Sequence, residues 1–320
     1  MELFLRISGV GYGNAPLERS QTYHHVHPSN YQFLMHDPNG EYGGYHVYYD
    51  DIGFRVANEK LKTNDLKHEK NTIIFMGDSF TEGNQVVYHK TFASLVSEKL
   101  GVPAINLGVS SYAPLIYELQ VKNILSQFDA EVVVLQIFSN DFEEGKVYLK
   151  NAVLDSDEII GINGGRNNFA VSIARNSYLL RFLRKSQLLL QVIFSKSKVA
   201  AEIPSSAFDY EQDVTDEQLY STVNIIRRIN SLLAEQDKKL YVFLIPSRSL
   251  SFSNSCCAED KLYARFYSAM LEAGIETIDV KSSFEQSEKQ HELFFMKDIH
   301  LTSEGHRLVA ESIGFHLVRD

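Results

Sequence analysis

The chain lacks several features that define large classes of protein. It has no tryptophan and only two cysteines, Cys256 and Cys257, which are adjacent. Neighbouring cysteines cannot form an ordinary disulfide between distant elements of the same chain, so no disulfide framework is expected. This cysteine usage fits the cytosol but does not exclude an oxidising compartment. The apolar start at residues 1–7 is far too short to cross a bilayer.

Positive charge is also scarce. The 320 residues carry a net charge of -10, which argues against nucleic acid as a partner because its phosphates require a basic face. There is no dense lysine and arginine run for anionic lipid. No Gly-x-Gly-x-x-Gly or phosphate-binding loop follows the first predicted strand, so redox and nucleotide-driven chemistry are poorly supported, and we expect no cofactor.

Hydrophobic residues make up 44% of the chain, enough for one large core. From residue 71 onward, short β-rich runs alternate with longer helical patterns, which predicts a doubly wound parallel sheet. The predicted strands are residues 72–77, 103–107, 131–138, 239–245 and 275–279. The predicted helices are residues 90–100, 115–127, 216–236, 259–273 and 303–317.

A serine follows the first predicted strand. The segment Met76-Gly77-Asp78-Ser79-Phe80-Thr81-Glu82-Gly83 comes directly after the apolar run at residues 72–75. A hydroxyl at the carboxyl end of a parallel strand faces the crevice where open α/β sheets bind ligands. Ser79 is therefore a candidate nucleophile, although a helix-capping serine is an equally good interpretation of this segment alone.

An acid and a base occur together near the end of the chain. Asp298 and His300 lie in a predicted loop, and Thr302 has the character of an N-cap for the last helix. A serine nucleophile needs a base, usually histidine, and that histidine needs a carboxylate to fix its tautomer. Asp298 and His300 could supply both, whereas either residue alone would be an ordinary solvated loop residue.

Two further segments follow their own predicted strands. The first, residues 104–111, contains Gly108, and the second, residues 132–141, contains Asn140. A backbone amide at glycine and an asparagine side chain are suitable donors to a tetrahedral oxyanion. Taken singly, Gly108 is typical of a turn and Asn140 of a strand-ending cap.

These four segments, in this order, resemble the SGNH hydrolases, also called the GDSL esterase and lipase family. The resemblance runs from about residue 71 to the C-terminus. It implies a flavodoxin-like three-layer α/β/α fold with a five-stranded, mainly parallel sheet, and metal-free acyl-ester chemistry. It further implies a Ser79, His300 and Asp298 triad, and an oxyanion hole of the Ser79 and Gly108 amides with the Asn140 side chain.

The chain departs from the family pattern at three places. Phe138 stands where the third block usually has glycine, and it is expected, with Asp78, to shape the pocket. Ser111 replaces a frequent glycine of the second block. The last block has Asp-x-His spacing, whereas many members have Asp-x-x-His. The shorter spacing resembles the branch that handles acyl groups on bacterial exopolysaccharides.

The first 70 residues are predicted to form an N-terminal extension that is rich in tyrosine and irregular, with short strands within it as an alternative. Its tyrosines either stack on carbohydrate or simply pack the extension against the main domain. His24, His25 and His27 have no further ligand at a diagnostic spacing, so no functional metal is expected. The predicted SGNH domain is residues 71–320.

An insertion at about residues 142–213 interrupts the alternation of strands and helices. It either lines the acyl or sugar pocket as a lid or is a structural excursion. An apolar helix predicted within residues 178–194 has basic residues along or after it. Core packing explains this helix best, and contact with a membrane surface is the alternative.

The sequence as a whole predicts a serine esterase that removes an O-acetyl or other short acyl group from a carbohydrate through an acyl-enzyme. The expected partner is an acylated carbohydrate or a small ester. The alternatives are an O-acyltransferase acting on a cell-surface glycan, and a non-catalytic glycan-binding assembly protein. The family resemblance favours the cell envelope over the cytoplasm as its location. Nothing in the sequence indicates an oligomeric state.

Overall fold

The computed structural model describes residues 1–8, 10–12, 16–37, 40–156, 158–165, 177–180, 182–183, 214–248 and 258–318. Within these ranges the helices are distributed along the whole chain. They are α1 (Glu2–Ser8), α2 (Ser79–Glu82), α3 (Phe92–Leu100), α4 (Pro114–Asn123), α5 (Asp141–Leu149), α6 (Asp216–Ala234), α7 (Ala258–Glu272), α8 (Lys281–Glu285) and α9 (Ser303–Leu317).

The strands fall into a central sheet, a small sheet in the N-terminal extension and two hairpin-like pairs. They are β1 (Val10–Tyr12), β2 (Glu18–Arg19), β3 (His25–Val26), β4 (Gln32–His36), β5 (Gly43–Tyr49), β6 (Arg55–Val56), β7 (Ile73–Met76), β8 (Ala104–Asn106), β9 (Val132–Ile137), β10 (Ala152–Asp155), β11 (Glu158–Ile162), β12 (Lys239–Leu244) and β13 (Glu276–Thr277).

The central sheet is all parallel, with strand order β13-β12-β9-β7-β8. This is the flavodoxin-like order, in which the chain reverses direction across the sheet between β7 and β9. Both strands are almost wholly buried and rich in Val, Ile and Leu, as a sheet covered on two faces requires. The predicted fold class is confirmed.

Helices cover both faces of this sheet and create two hydrophobic clusters. On one face α4, α6 and α7 pack around Ile74, Val133 and Leu135. On the other face α3, α8 and α9 pack around Phe75 and Val134. Alternate residues of β7 and β9 therefore point into opposite clusters, as the two-residue period of a strand dictates.

The N-terminal extension is more regular than its sequence suggests. Strands β1, β4, β5 and β6 form a four-stranded sheet with its own small cluster, which includes Phe33, Met35 and Val47. In β4, buried and more exposed residues alternate, so one face of this sheet packs inward.

The predicted insertion begins with α5 and the antiparallel pair β10 and β11. Most of the predicted apolar helix at residues 178–194 lies outside the described residues. No helix in the described ranges combines the length and apolarity needed to cross a bilayer.

Candidate active site

The candidate nucleophile lies where the strand order reverses. β7 ends at Met76, and α2 begins at Ser79 after a turn made by Gly77 and Asp78. A Cβ at Gly77 would lie 2.2 Å from the hydroxyl oxygen of Thr81. The turn therefore requires glycine, because a larger residue would push α2 away from the sheet.

Asp78 is the N-cap of α2. Its carboxylate accepts the N–H of Phe80 at 2.9 Å, and its own N–H donates to the side chain of Gln136 at 3.2 Å. Burial raises the pKa of Asp78 to about 6, although the Phe80 bond and the charge of His300 oppose that rise. The capping bond shows what holds Asp78 in place, while its part in shaping a pocket stays a prediction.

A continuous hydrogen-bonded chain joins Ser79, His300 and Asp298. The Oγ of Ser79 lies 2.7 Å from Nε2 of His300. On the other side of the ring, Nδ1 of His300 bonds to Oδ1 of Asp298, which also accepts the backbone N–H of His300 at 3.0 Å. A serine hydroxyl, an imidazole and a carboxylate in this order can activate the serine for attack on a carbonyl.

Asp298 is held in the ionised form. Burial opposes its ionisation, but hydrogen bonds with the His300 side chain and backbone, and a further one from Tyr42, outweigh burial and lower its pKa to about 2. The hydroxyl of Tyr42 donates to Oδ2 of Asp298 at 2.9 Å. An ionised carboxylate on Nδ1 favours the tautomer whose Nε2 is free to accept a proton.

Phe138 is buried and packs against Phe80, the residue that follows Ser79. It is only 3% exposed and its ring centre is 4.4 Å from that of Phe80, which in turn lies 5.0 Å from the ring centre of His300. The ring is part of the buried cluster on the α3 and α9 face, and its effect on the shape of the pocket stays a prediction.

Gly108 lies against the nucleophile helix. A Cβ at this position would be 2.4 Å from the N atom of Glu82, so the close approach of the two segments needs glycine. The N–H of Gly108 donates to Oδ1 of Asn106 at 2.9 Å. The predicted oxyanion donor is therefore engaged, and it could serve an oxyanion only by exchanging this bond.

Ser111, which replaces a frequent family glycine, keeps a glycine-like backbone. Its φ is 64°, in the left-handed region that most residues avoid. The position thus retains the conformation that glycine would adopt, while the serine side chain is exposed.

Asn140 follows β9 and immediately precedes α5. Its side chain lies close enough to Asp78 and Glu144 to oppose the rise that burial causes in the pKa of both carboxyls. Its Oδ1 is buried and has no hydrogen-bond partner among the described residues. Asn140 is thus at the same edge of the sheet as Ser79, and its role as an oxyanion donor stays a prediction.

Two further carboxyls beside Asn140 were not singled out from the sequence. Asp141 accepts the hydroxyl of Tyr117 at 3.1 Å and the N–H of Phe138 at 2.8 Å. Burial and the nearby Asp78 raise the pKa of Asp141 well above its usual range, and they raise that of Glu144 to about 8. Crowded, buried carboxyls favour the protonated form because their charges repel and lack water.

A buried polar network supports α2 from below. Glu82 and His27 are 0% and 1% exposed, and Nε2 of His27 lies 2.9 Å from a carboxylate oxygen of Glu82. The same carboxylate accepts the hydroxyl of Tyr49 and, at 2.7 Å, the N–H of Ser110. Burial opposes its ionisation, but His27 and these donors outweigh it and lower the pKa of Glu82 to about 2.

Arg55 of β6 extends this support. Its guanidinium, fully buried, donates to the carbonyls of Glu82 at 2.8 Å and Val86 at 2.6 Å. It also lies 5.7 Å from the ring centre of Tyr88. The segment that follows the nucleophile is thereby fixed by a residue of the extension.

The histidines of the extension are used in packing. Nε2 of His25 bonds to the carbonyl of Ser110 at 2.8 Å, and burial lowers the pKa of His25 to about 4. His27 pairs with Glu82. Among the described residues, no three His, Cys, Asp or Glu side chains are grouped as metal ligands would be.

The C-terminal part of the chain is similar to a known protein family. Residues 205–320 match the model of the family described as "SGNH hydrolase-like domain, acetyltransferase AlgX". This range includes Asp298 and His300 but not Ser79, Gly108 or Asn140. No curated protein gives a significant match.

Several solved structures have a similar fold at low identity. One is a lipolytic protein of the G-D-S-L family from Veillonella parvula, at 12% identity and a TM-score of 0.46, with 78% of this chain and 99% of that chain covered. Another is the acetylxylan esterase Axe2 from Geobacillus stearothermophilus, at 10% identity and a TM-score of 0.43, with 78% and 94% covered. At these values neither carries an inference about the chemistry of this chain. The family match over residues 205–320 includes the last of the four motifs, and the chain is similar to the SGNH hydrolases.

Proposed function

We propose that this protein is a serine-dependent acyl-ester enzyme of SGNH type that acts on a short acyl group, such as acetyl, carried by a carbohydrate. The observation that supports the proposal most is the hydrogen-bonded chain from Ser79 through His300 to Asp298. The carbohydrate part of the proposal rests on the family match to an acetyltransferase domain and on the Asp-x-His spacing.

The first half of the reaction forms an acyl-enzyme. The Oγ of Ser79 attacks the ester carbonyl while Nε2 of His300 takes its proton, and the ionised Asp298 stabilises the imidazolium. The negative charge on the tetrahedral intermediate is accepted by the Ser79 amide and the Asn140 side chain. Gly108 contributes once its N–H leaves Asn106. Collapse of the intermediate breaks the ester bond, and His300 returns the proton to the departing alcohol.

The second half of the reaction removes the acyl group from Ser79. A hydroxyl takes the place of the departed alcohol, gives its proton to Nε2 of His300 and attacks the acyl carbonyl. Collapse of this second intermediate breaks the bond between the acyl carbon and Oγ of Ser79, and His300 returns the proton to that oxygen. If that hydroxyl belongs to water, the protein is an esterase. If it belongs to a sugar, the protein is an O-acyltransferase that uses the same residues.

The transferase is the second candidate, because the family whose model matches residues 205–320 is described as an acetyltransferase. The two candidates differ in how the acyl-enzyme divides between water and a sugar acceptor. We would supply an aryl acetate with and without an oligosaccharide acceptor and measure free acetate and acetylated sugar. Mostly acetate in both mixtures indicates an esterase, whereas a rise in acetylated sugar at the expense of acetate indicates a transferase.

The role of His300 has its own test in the pH dependence of aryl acetate cleavage. Only neutral imidazole can accept the Ser79 proton, so the rate should fall once acidification protonates His300. A rate that does not change with acidification would contradict His300 as the base. His300→Gln should lose activity at every pH, while His68→Gln, a change at a highly exposed histidine, should not.

A further inference from the structure

The loop that carries the acid and the base is held by the N-terminal extension. Between β4 and β5, Glu41 and Tyr42 reach the segment around Asp298, which lies more than 250 residues further along the chain. We propose that Tyr42 and Glu41 are positioning residues of the active site. They hold the loop so that His300 can hydrogen-bond to both Asp298 and Ser79. This inference rests on the proposed function and assigns a role within the same site.

Tyr42 acts on the carboxylate itself. Its hydroxyl donates to Oδ2 of Asp298 at 2.9 Å, while Oδ1 of the same carboxylate faces the imidazole of His300. With one oxygen bonded to each partner, the carboxylate cannot rotate without breaking a hydrogen bond to an ionised group. Such bonds are among the stronger ones in proteins.

Glu41 acts on the backbone just before Asp298. Its two carboxylate oxygens accept the N–H groups of Met296 and Lys297, each at 2.8 Å. Two consecutive amides on one carboxylate fix the direction in which the chain enters Asp298. The ring of Tyr42 also packs against that of Phe295 at 4.9 Å between ring centres.

The ionisation of Asp298 agrees with this assignment. The bond from Tyr42 is one of those that overcome burial and keep the pKa of Asp298 low. Burial, and then the charge of Asp298, raise the pKa of Tyr42 above its usual range, so the hydroxyl stays protonated and remains a donor.

Tyr42→Phe is the sharpest test because it removes the hydroxyl and keeps the ring contact with Phe295. We expect kcat for an aryl acetate to fall by about 5- to 20-fold, as for loss of a hydrogen bond to a charged group, with KM and Tm little changed. The matched control is Tyr45→Phe, since Tyr45 donates at the same distance of 2.9 Å to the carbonyl of Asn84 instead. The control should keep the wild-type kcat.

Glu41→Gln provides a second variant on the same loop. It leaves one of the two amides without a carboxylate acceptor, and we expect a similar fall in kcat at unchanged KM. Wild-type kcat in both Tyr42→Phe and Glu41→Gln would overturn the proposal. A loss of activity that merely follows a fall in Tm would overturn it as well, because a structural role would then suffice.

A spectroscopic measurement makes the test independent of turnover. The Nδ1–H proton of His300, bonded to Asp298, should give a downfield proton resonance that is lost in His300→Gln. Tyr42→Phe should move this resonance further downfield, because Asp298 then has one donor fewer and accepts more strongly from the imidazole. An unmoved resonance contradicts the positioning role. Failure of the wild type to react with any ester, with the resonance shifted as expected, contradicts the proposed function alone.

Discussion

At the scale of single residues, the site depends on places where no side chain fits. Gly77 is the clearest case, because a Cβ there would lie 2.2 Å from Thr81 Oγ1 and 2.4 Å from Gln136 Oε1. These two side chains hydrogen-bond to each other at 2.9 Å and lie between β7, α2 and β9. The position of Ser79 is thus determined by contacts that its own side chain does not make.

Gly77→Ala should therefore damage both folding and activity. We expect a loss of about 3 kcal/mol or more in the free energy of unfolding, because the methyl group must displace buried polar atoms. Gly145→Ala is the control, since nothing lies within 4 Å of a Cβ at that helical position, and it should be neutral or stabilising by up to about 1 kcal/mol. Urea unfolding measures the stability of both variants, and equal stability of the two would contradict the close approach at Gly77.

The raised pKa of Glu144 predicts a pH dependence of stability. A carboxyl whose folded pKa is about 8 binds a proton in the native state that the unfolded chain has already released above about 4.5. Its contribution to stability is therefore present at low pH and is lost as the pH rises towards 8.

Glu144→Gln removes this titration. Between pH 5 and 8, the free energy of unfolding should fall less steeply with pH in the variant than in the wild type. The difference in slope should correspond to up to about one proton bound by the native state. Glu59→Gln changes an exposed carboxylate outside this cluster and should leave the slope as in the wild type. Identical slopes in all three proteins would contradict the half-buried, protonated state of Glu144.

At the scale of elements, the nucleophile helix is held from two sides. Gly108 of the loop after β8 packs against its backbone, and the extension supplies His27, Tyr49 and Arg55 beneath Glu82. A helix as short as α2 has little stability of its own, so its position must come from these contacts.

Glu82→Gln tests this support. The change leaves the buried His27 and Tyr49 without their carboxylate partner, and we expect the free energy of unfolding to fall by about 3 to 5 kcal/mol near neutral pH. Because the folded pKa of Glu82 is lowered to about 2, the carboxylate's contribution is present above the unfolded value of about 4.5 and is lost as the pH falls towards 2.

The control for this substitution is Glu285→Gln in α8, which breaks an exposed i,i+4 ion pair with Lys281. Such surface pairs contribute about 0.3 to 0.5 kcal/mol. Chemical denaturation of both variants at pH 7 measures the difference. A Glu82→Gln protein as stable as the control would show that the buried network does not support α2.

The central elements could be predicted from the sequence because their signals are local. The five predicted strands of the sheet each contain an observed strand, and predicted helices 216–236 and 303–317 match α6 and α9 closely. Apolar runs of strand length and a 3.6-residue period are visible without tertiary information. The short strands of the extension and α8 lack such patterns, and only pairing or packing reveals them.

At the scale of the whole molecule, the flavodoxin-like order brings separate segments to one edge. Ser79 follows β7 and Asn140 follows β9, the two strands between which the strand order reverses. His300 reaches Ser79 from the loop before α9. The motifs alone predict that these residues lie close together, because the carboxyl ends of parallel strands share one edge of the sheet.

Contacts between distant segments could not be predicted in the same way. Glu41 and Tyr42 contact the loop around Asp298 across more than 250 residues, and neither lies in a motif. The sequence indicates only weakly that Glu82 has buried partners. The indication is a carboxylate three residues after Ser79, on a helix that must be buried. The Gly108 amide bond to Asn106 likewise depends on side-chain geometry that the spacing of residues does not encode.

The central claim of this account is that Ser79 is an activated nucleophile, and intact-mass measurement after incubation with a serine-directed phosphonate tests it most directly. The wild type and Ser126→Ala, a change at an exposed serine, should each gain one adduct, whereas Ser79→Ala should gain none. A wild type that stays unmodified, or a Ser79→Ala protein that is modified as readily as the wild type, would contradict the claim.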